Sequence, residues 1–197
     1  LIGVIIAFMM VTTLLVRVIS SNNSNYWEQN YRDNYKAEMQ NYTHQWNEDK
    51  TNYFAKVSME KYAYLLENDI VYNDWKMEVV EAYYDVQYNL ELLNNAVQSE
   101  MPSESREVLE EQSRVYQSLL DGNDWKKLIQ LKIQILKGEV DYGEKYFFTN
   151  SQSLETEDEK KVALEVLQLY LDYDVQPFYN TGRYWYSNSN SNLEQWK

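Results

Sequence analysis

The longest uninterrupted run of apolar residues is at the very start of the chain. Leu1 to Val16 carries no charge, and its only polar side chains are those of two threonines. Burying such a run in hydrocarbon removes apolar surface from water, and a helix satisfies its backbone polar groups internally. A full membrane span needs about 20 residues, a length reached at Ser20 if Arg17 extends to the interface. The pattern therefore predicts a transmembrane helix over 1–20.

Six large side chains of this run are expected to anchor it in lipid: Ile2, Ile5, Ile6, Phe8, Leu14 and Leu15. Two other interpretations stay open, a cleavable signal peptide and a buried helix of a soluble protein. A signal peptide would show a basic amino-terminal region and a small-residue cleavage site, and neither is visible. Because the sequence begins with Leu rather than Met, we expect it to be cut from inside a longer protein.

A stripe of aromatic residues at helical spacing follows. Positions 26–68 contain no Gly or Pro, and large apolar side chains recur there mostly at steps of four and three. This spacing places them on one face of a helix, and they are Trp27, Tyr31, Tyr35, Met39, Tyr42, Trp46, Tyr53 and Val57. We assign 21–68 to one stalk helix with a weak point in the polar segment 21–25. Unbroken, it would extend roughly 60 Å at 1.5 Å per residue.

Start and stop signals predict a bundle of further helices over 69–178. Asp74 is typical of a helix start, and the apolar spacing after it indicates a helix that ends near Ser99. Pro102 disfavours helix at the residue before it, so the chain is expected to restart with Ser103 as the cap of the next helix.

The second half of the bundle shows similar start and stop signals. Gly122 is expected in the left-handed position that ends one helix, and Asp124 is expected to cap the next. The following apolar stretch, 128–136, alternates in part, so a strand competes with the helix there. Thr156 with Glu159 three residues on predicts a capping box at the start of the last helix.

Composition supports an all-α fold and narrows the range of partners. The chain has five Gly, two Pro and no Cys, which disfavours turn-rich or disulfide-linked architectures. Acidic residues outnumber basic ones 31 to 18, for a net charge of −13. Nucleic-acid binding depends on Lys and Arg that neutralise phosphates, so no nucleic-acid partner is expected, and adhesion to anionic lipid is disfavoured too.

Tyrosine is unusually common, with 19 copies beside six Trp. We interpret most of the aromatic stripe as helix–helix packing. The alternative is that part of it, together with the aromatic side chains of the Ser/Asn-rich tail 179–197, forms a surface for a peptide substrate or a partner subunit. The tail residues in question are Tyr179, Tyr184, Trp185 and Tyr186.

Groups that could support catalysis or bind a metal are sparse. His44 is the sole histidine, and with no Cys there is no expected zinc site or catalytic triad. The acidic run 155–159 lacks the calcium-loop pattern and is better explained by a helix start. Glu110-Glu111 and the pair Asp172 and Asp174 are typical of solubilising charge. We expect neither a cofactor nor an enzyme.

Two motifs in the second half resemble a known family. The first is a "G-x-D-W-K" helix start, Gly122-Asn123-Asp124-Trp125-Lys126-Lys127. The second is a helix end with an acidic pair, a β-branched residue and a proline, Leu167-Gln168-Leu169-Tyr170-Leu171-Asp172-Tyr173-Asp174-Val175-Gln176-Pro177-Phe178. Together they are similar to the extracellular helical region of permease subunits in type-2 ATP-binding-cassette exporters of Gram-positive bacteria.

The resemblance covers the leading span and about 121–178. It implies a cell-membrane protein whose residues after about 20 are extracellular, assisting transport of a substrate such as a peptide. It also implies partners, a separate cytoplasmic ATPase and further permease helices outside this sequence, and it carries over no catalytic residues. The alternative is a single-pass surface protein whose helical domain binds another protein.

Overall fold

All regular structure in the described part of the chain is helical. The computed structural model describes residues 30–72, 74–97, 101–141, 147 and 156–177. Six helices follow one another there: α1 (30–48), α2 (Tyr53–Glu67), α3 (Lys76–Asn94), α4 (Arg106–Gly122), α5 (Trp125–Leu136) and α6 (Glu157–Asp172). The all-α prediction is confirmed for these residues, and the strand alternative for 128–136 is wrong.

Helices α1 and α2 form a hairpin where the spacing predicts one continuous stalk. The helix stops after position 48, because side chains in the next four residues take over backbone hydrogen bonding. Asp49 Oδ1 accepts from the Thr51 amide at 2.9 Å and from the Thr51 hydroxyl at 2.7 Å. Asn52 then caps α2 by accepting from the Ala55 amide at 3.0 Å. The prediction of a single stalk helix over 21–68 is therefore wrong.

The aromatic stripe of α1 packs onto α2 and the segment that follows it. Trp46 meets Tyr53 near the turn, and Tyr35 meets Tyr62 farther along, with ring centroids 6.1 and 5.8 Å apart. Tyr31 stacks on Tyr72 still farther from the turn, at 5.6 Å. These pairings run in opposite directions along the two helices, so α1 and α2 are antiparallel.

Local capping signals place two helix starts correctly. Asp124 accepts from the Lys126 amide at 3.1 Å at the start of α5. At the start of α6, Thr156 and Glu159 form both hydrogen bonds of a capping box. Both predictions are confirmed, because each depends only on residues within one helical turn.

Three predicted helix ends differ from the structure. The α4 cap is Ser105, whose hydroxyl accepts from the Val108 amide at 3.4 Å, so Ser103 lies before the helix. Asn123, with φ 46°, takes the left-handed position expected of the preceding glycine, because Asn tolerates that conformation. Helix α3 ends at Asn94, earlier than the spacing indicates, and Ala96 turns the chain with φ 51°.

Each helix from α2 to α5 packs against the helix that follows it in the sequence. Helix α3 lies between α2 and α4 and buries Val79, Val80, Ala82 and Val86. Other members of the same core come from every neighbouring helix; they include Tyr35, Leu65, Trp75, Leu109, Tyr116, Leu119, Leu120, Leu128, Leu131, Ile135 and Phe147. Burial of these side chains is the main force that holds the helices together.

The predicted membrane helix lies outside the described residues, as do its anchor side chains. Within the described ranges, no helix combines the length and apolarity required to cross a bilayer.

Candidate functional site

A continuous row of aromatic rings runs from the α1–α2 interface to the surface of α3. Tyr42 stacks on Tyr62 with centroids 5.9 Å apart and meets the ring of Phe54 edge-on at 5.9 Å. Phe54 in turn meets Tyr88 edge-on at 5.7 Å. Phe54, the ring between Tyr42 and Tyr88, is 52% exposed to solvent. An exposed phenylalanine beside two other rings is a feature typical of binding surfaces.

Phe54 and Tyr88 stand at one end of a groove between α2 and α3. Its volume is about 160 Å³, and it is lined by Phe54, Val57, Ser58 and Lys61 from α2 and by Glu81, Tyr84, Asp85 and Tyr88 from α3. On each helix the four positions follow i, i+3, i+4, i+7, which is one face of a helix. Two such faces packed side by side therefore build the groove.

The α3 wall of the groove alternates carboxylates with rings. Glu81 and Asp85 lie four residues apart on one helix face, where like charges repel weakly. Lys61 of α2 lines the same groove. Lys56 Nζ pairs with Glu91 Oε1 at 2.7 Å, and Lys61 Nζ lies 5.2 Å from the centre of the Tyr62 ring. The groove lining thus holds two carboxylates and one ammonium group.

A larger and more polar depression lies between α3 and α4. Its volume is about 580 Å³, with Tyr83, Ser113, Arg114, Asp121 and Lys127 among its lining residues. Most of these side chains bond to neighbours. Gln87 Nε2 donates to Ser113 Oγ at 2.8 Å, Gln117 Nε2 to Asp121 Oδ1 at 2.8 Å, and Arg114 to Glu111 Oε2 at 2.5 Å. Such satisfied groups favour a solvated surface over a ligand site.

The two motifs that carry the family resemblance meet in space. The first spans the end of α4 and the start of α5, and the second spans the end of α6. Lys126 Nζ lies 2.5 Å from Asp174 Oδ1, so one residue of each motif forms an ion pair. Asp174 has φ 54°, and Pro177 follows it in a buried position. Both side chains of this ion pair are largely exposed, 46% for Lys126 and 73% for Asp174, so the pair lies at the surface.

The polar residues considered for catalysis bind to surface neighbours. His44 Nε2 lies 3.4 Å from Glu48 Oε1, one turn away on α1. Glu110 and Glu111 pair with different arginines of their own helix, Arg106 and Arg114. Among the described residues, no group of three His, Cys, Asp or Glu side chains could hold a metal ion.

The aromatic residues predicted as a partner surface, Tyr179, Tyr184, Trp185 and Tyr186, lie outside the described residues. The groove between α2 and α3 was not predicted. Its signal is present in the i, i+3, i+4, i+7 spacing of the two faces. That spacing alone does not reveal which faces of two helices become neighbours.

Burial raises the pKa of several tyrosines around these helices. The Tyr35 hydroxyl donates to Met77 Sδ at 3.8 Å, and its pKa rises from 10.0 to about 12, chiefly because the phenol is buried. Burial is also the main cause that raises the pKa of Tyr62, Tyr64, Tyr83 and Tyr84. All five phenols therefore stay neutral in the folded chain at physiological pH.

The chain is expected to lose stability above pH about 10. Because the Tyr35 pKa is higher in the folded state than in the unfolded one, its contribution is complete below 10.0 and disappears as the pH approaches about 12. The urea midpoint, followed by circular dichroism across this interval, should fall steadily. Tyr35→Phe should make the fall shallower, whereas a constant midpoint for the unmodified chain would contradict the assignment.

The chain matches no protein-family model, no curated protein and no solved structure. Its likeness to exporter permeases therefore stays a prediction from its motifs.

Proposed function

We propose that the chain is a membrane-anchored, extracellular helical domain of an ATP-binding-cassette exporter permease. In this role it assists transport by binding a polypeptide, either the substrate or a partner subunit. The observation that carries the proposal is the apolar run Leu1 to Val16, in a chain of net charge −13 whose described part, from residue 30 onward, is helical. With Arg17 extended to the interface, the run reaches at Ser20 the length of about 20 residues that a membrane span needs, which supports an anchor.

The ion pair between the two permease-like motifs supports this proposal. Lys126 and Asp174 lie 48 residues apart in sequence, yet their side chains meet at 2.5 Å. The pair joins the start of α5 to the residues that follow α6, two helices that pack against each other. The groove beside Phe54 supports the binding role, because it offers an exposed ring at a solvent-accessible edge.

Co-purification of the intact natural protein tests the transport assignment. The protein is isolated from its own membrane in mild detergent, and bound proteins are identified by mass spectrometry. We expect an ATPase subunit with a nucleotide-binding P-loop, together with further membrane helices of the permease. A tagged, unrelated single-pass membrane protein, treated identically, serves as the control for non-specific capture.

Recovery of the protein alone, or with partners that have no ATPase subunit, would reject transport. The second candidate function would then stand, a single-pass surface protein whose helical domain binds another protein. The exposed Phe54 and its groove favour this candidate equally, because neither feature requires a transport channel.

A further inference from the structure

We propose that the groove between α2 and α3 binds an arginine side chain presented by a partner polypeptide. The inference rests on the proposed function only in so far as that function includes binding of a polypeptide. It names the chemistry that the groove recognises, a planar cation held between aromatic rings and carboxylates.

The size of the groove favours a single side chain as its occupant. Its volume is about 160 Å³, whereas pockets for small molecules and cofactors measure roughly 300–1,000 Å³. The groove is also open along the surface, between one face of α2 and one face of α3. A side chain on a polypeptide that lies across α2 and α3 fits this shape, because its backbone can stay outside the groove.

The aromatic walls favour a cation. Phe54 and Tyr88 meet edge-on at 5.7 Å, and Tyr84 lies one helical turn before Tyr88 on the same face of α3. Ring faces attract a positive charge through their quadrupole. Phe54 is the most exposed of the large apolar side chains that line the groove. A flat guanidinium that stacks on such a ring covers its apolar surface and is also attracted by the ring quadrupole.

The charges of the groove complement a cation. Asp85 forms no ion pair with any described residue, and it lies one turn from the carboxylate of Glu81. Lys61 Nζ lies over the Tyr62 ring, and together with Glu81 and Asp85 it leaves the groove lining with a net charge of −1. A cation bound between Glu81 and Asp85 would relieve their mutual repulsion. Arginine suits the site better than lysine, because its guanidinium can donate to carboxylates in a fork while it stacks on a ring.

Binding of two matched peptides to the full chain tests the proposal. The first probe is a short, capped alanine–glutamine peptide with one central arginine, and the second carries citrulline there, which keeps the shape and removes the charge. The chain is held in phosphatidylcholine nanodiscs, so that no anionic lipid competes for the peptide. Isothermal titration calorimetry at low ionic strength should detect the arginine peptide, with the citrulline peptide weaker by about tenfold or more.

Variants of the chain locate the binding site. Asp85→Asn and Phe54→Ala should each weaken binding of the arginine peptide by about tenfold. Glu165→Gln is the control, because it changes the net charge as much as Asp85→Asn does but lies on the exposed face of α6. Circular dichroism of each variant verifies that the helices are retained.

Equal affinity for the two peptides, equal affinity of Asp85→Asn and the unmodified chain, or no measurable binding would each overturn the proposal. Its failure is distinguishable from failure of the transport assignment. An ATPase that co-purifies while the groove binds no arginine rejects only this inference. A groove that binds arginine in a protein without an ATPase rejects only the transport assignment.

Discussion

Replacement of Glu78 by leucine is expected to destabilise the folded chain by about 3 kcal/mol, the lower end of the cost of leaving one member of a buried ion pair alone. Lys132 Nζ lies 2.7 and 2.6 Å from the two Glu78 oxygens. The Lys132 side chain is 6% exposed and that of Glu78 is 20% exposed. The substitution would leave a buried ammonium without its counter-charge.

The surroundings of Lys132 explain why the pair matters. Its helix, α5, buries Leu128, Ile129, Leu131 and Ile135 around it, so water cannot replace the carboxylate. The ring of Phe147 lies 5.6 Å from Nζ and offers a further, weaker attraction for the charge. The pair also ties α5 to α3, two helices that are not adjacent in sequence.

A double-mutant cycle separates the pair from the packing around it. Lys132→Met combined with Glu78→Leu should recover most of the lost stability, because no buried charge remains. The control is the exposed pair of Glu111 and Arg114, at 2.5 Å, with side chains 49% and 69% exposed. Glu111→Leu should change the free energy of unfolding by less than about 1 kcal/mol. Chemical unfolding in mild detergent measures the unmodified chain, Glu78→Leu, Lys132→Met, the double variant and Glu111→Leu. A Glu78→Leu effect as small as that of Glu111→Leu would contradict the assignment.

The sequence shows the apolar stripe of α5 but gives no sign of this ion pair. Helical spacing puts Lys132 on the same face as Leu128, Leu131 and Ile135, although a charged side chain is seldom buried. In the structure Lys132 is buried, whereas Ile133 is only half-buried. A charge is buried only where a partner 54 residues away supplies a counter-charge, and periodicity within one helix does not contain that information.

Two helix starts, in contrast, could be predicted from the sequence, because the residues that determine a helix start are local. Asp124 and Thr156 could be identified as caps from the residues within one turn. The break between α1 and α2 could not, since 49–52 contains neither Gly nor Pro. It arises from side-chain hydrogen bonds of Asp49 and Asn52, which compete with the helix. Such residues are also common inside helices, so their presence alone does not predict a stop.

The groove between α2 and α3 illustrates a third limit of prediction from the sequence. Both of its faces follow helical spacing, and both could have been identified as surfaces with mixed aromatic and charged character. Their juxtaposition depends on how α2 packs against α3, which is set by core residues such as Val79 and Leu65 on other faces. The residue types on each face of the candidate site could therefore be identified from the sequence. Their arrangement in space could not, because it depends on how the helices pack.

Tyr62→Ala is expected to destabilise the α1–α2 hairpin by about 2–3 kcal/mol, because it removes two ring pairs and leaves a cavity between the helices. Tyr62 meets Tyr35 at 5.8 Å and Tyr42 at 5.9 Å, so it joins two positions of α1 that lie two turns apart. Hydrogen–deuterium exchange of the α1 amides over 30–48 should accelerate most. Tyr62→Phe should behave almost like the unmodified chain, since it keeps both ring contacts.

The exchange result for Tyr62→Ala also concerns the distance between the helical domain and the bilayer in the proposed membrane-anchored protein. As a hairpin, α1 extends about 28 Å at 1.5 Å per residue, whereas one helix over 26–68 would extend roughly 60 Å. Tyr173→Ala, at a side chain 56% exposed, is the control for loss of a tyrosine at the surface. If Tyr62→Ala changed α1 exchange no more than Tyr173→Ala does, the rings would not hold α1 against α2. The hairpin would then not set the distance to the bilayer, because the turn at 49–52 alone does not fix the angle between the two helices.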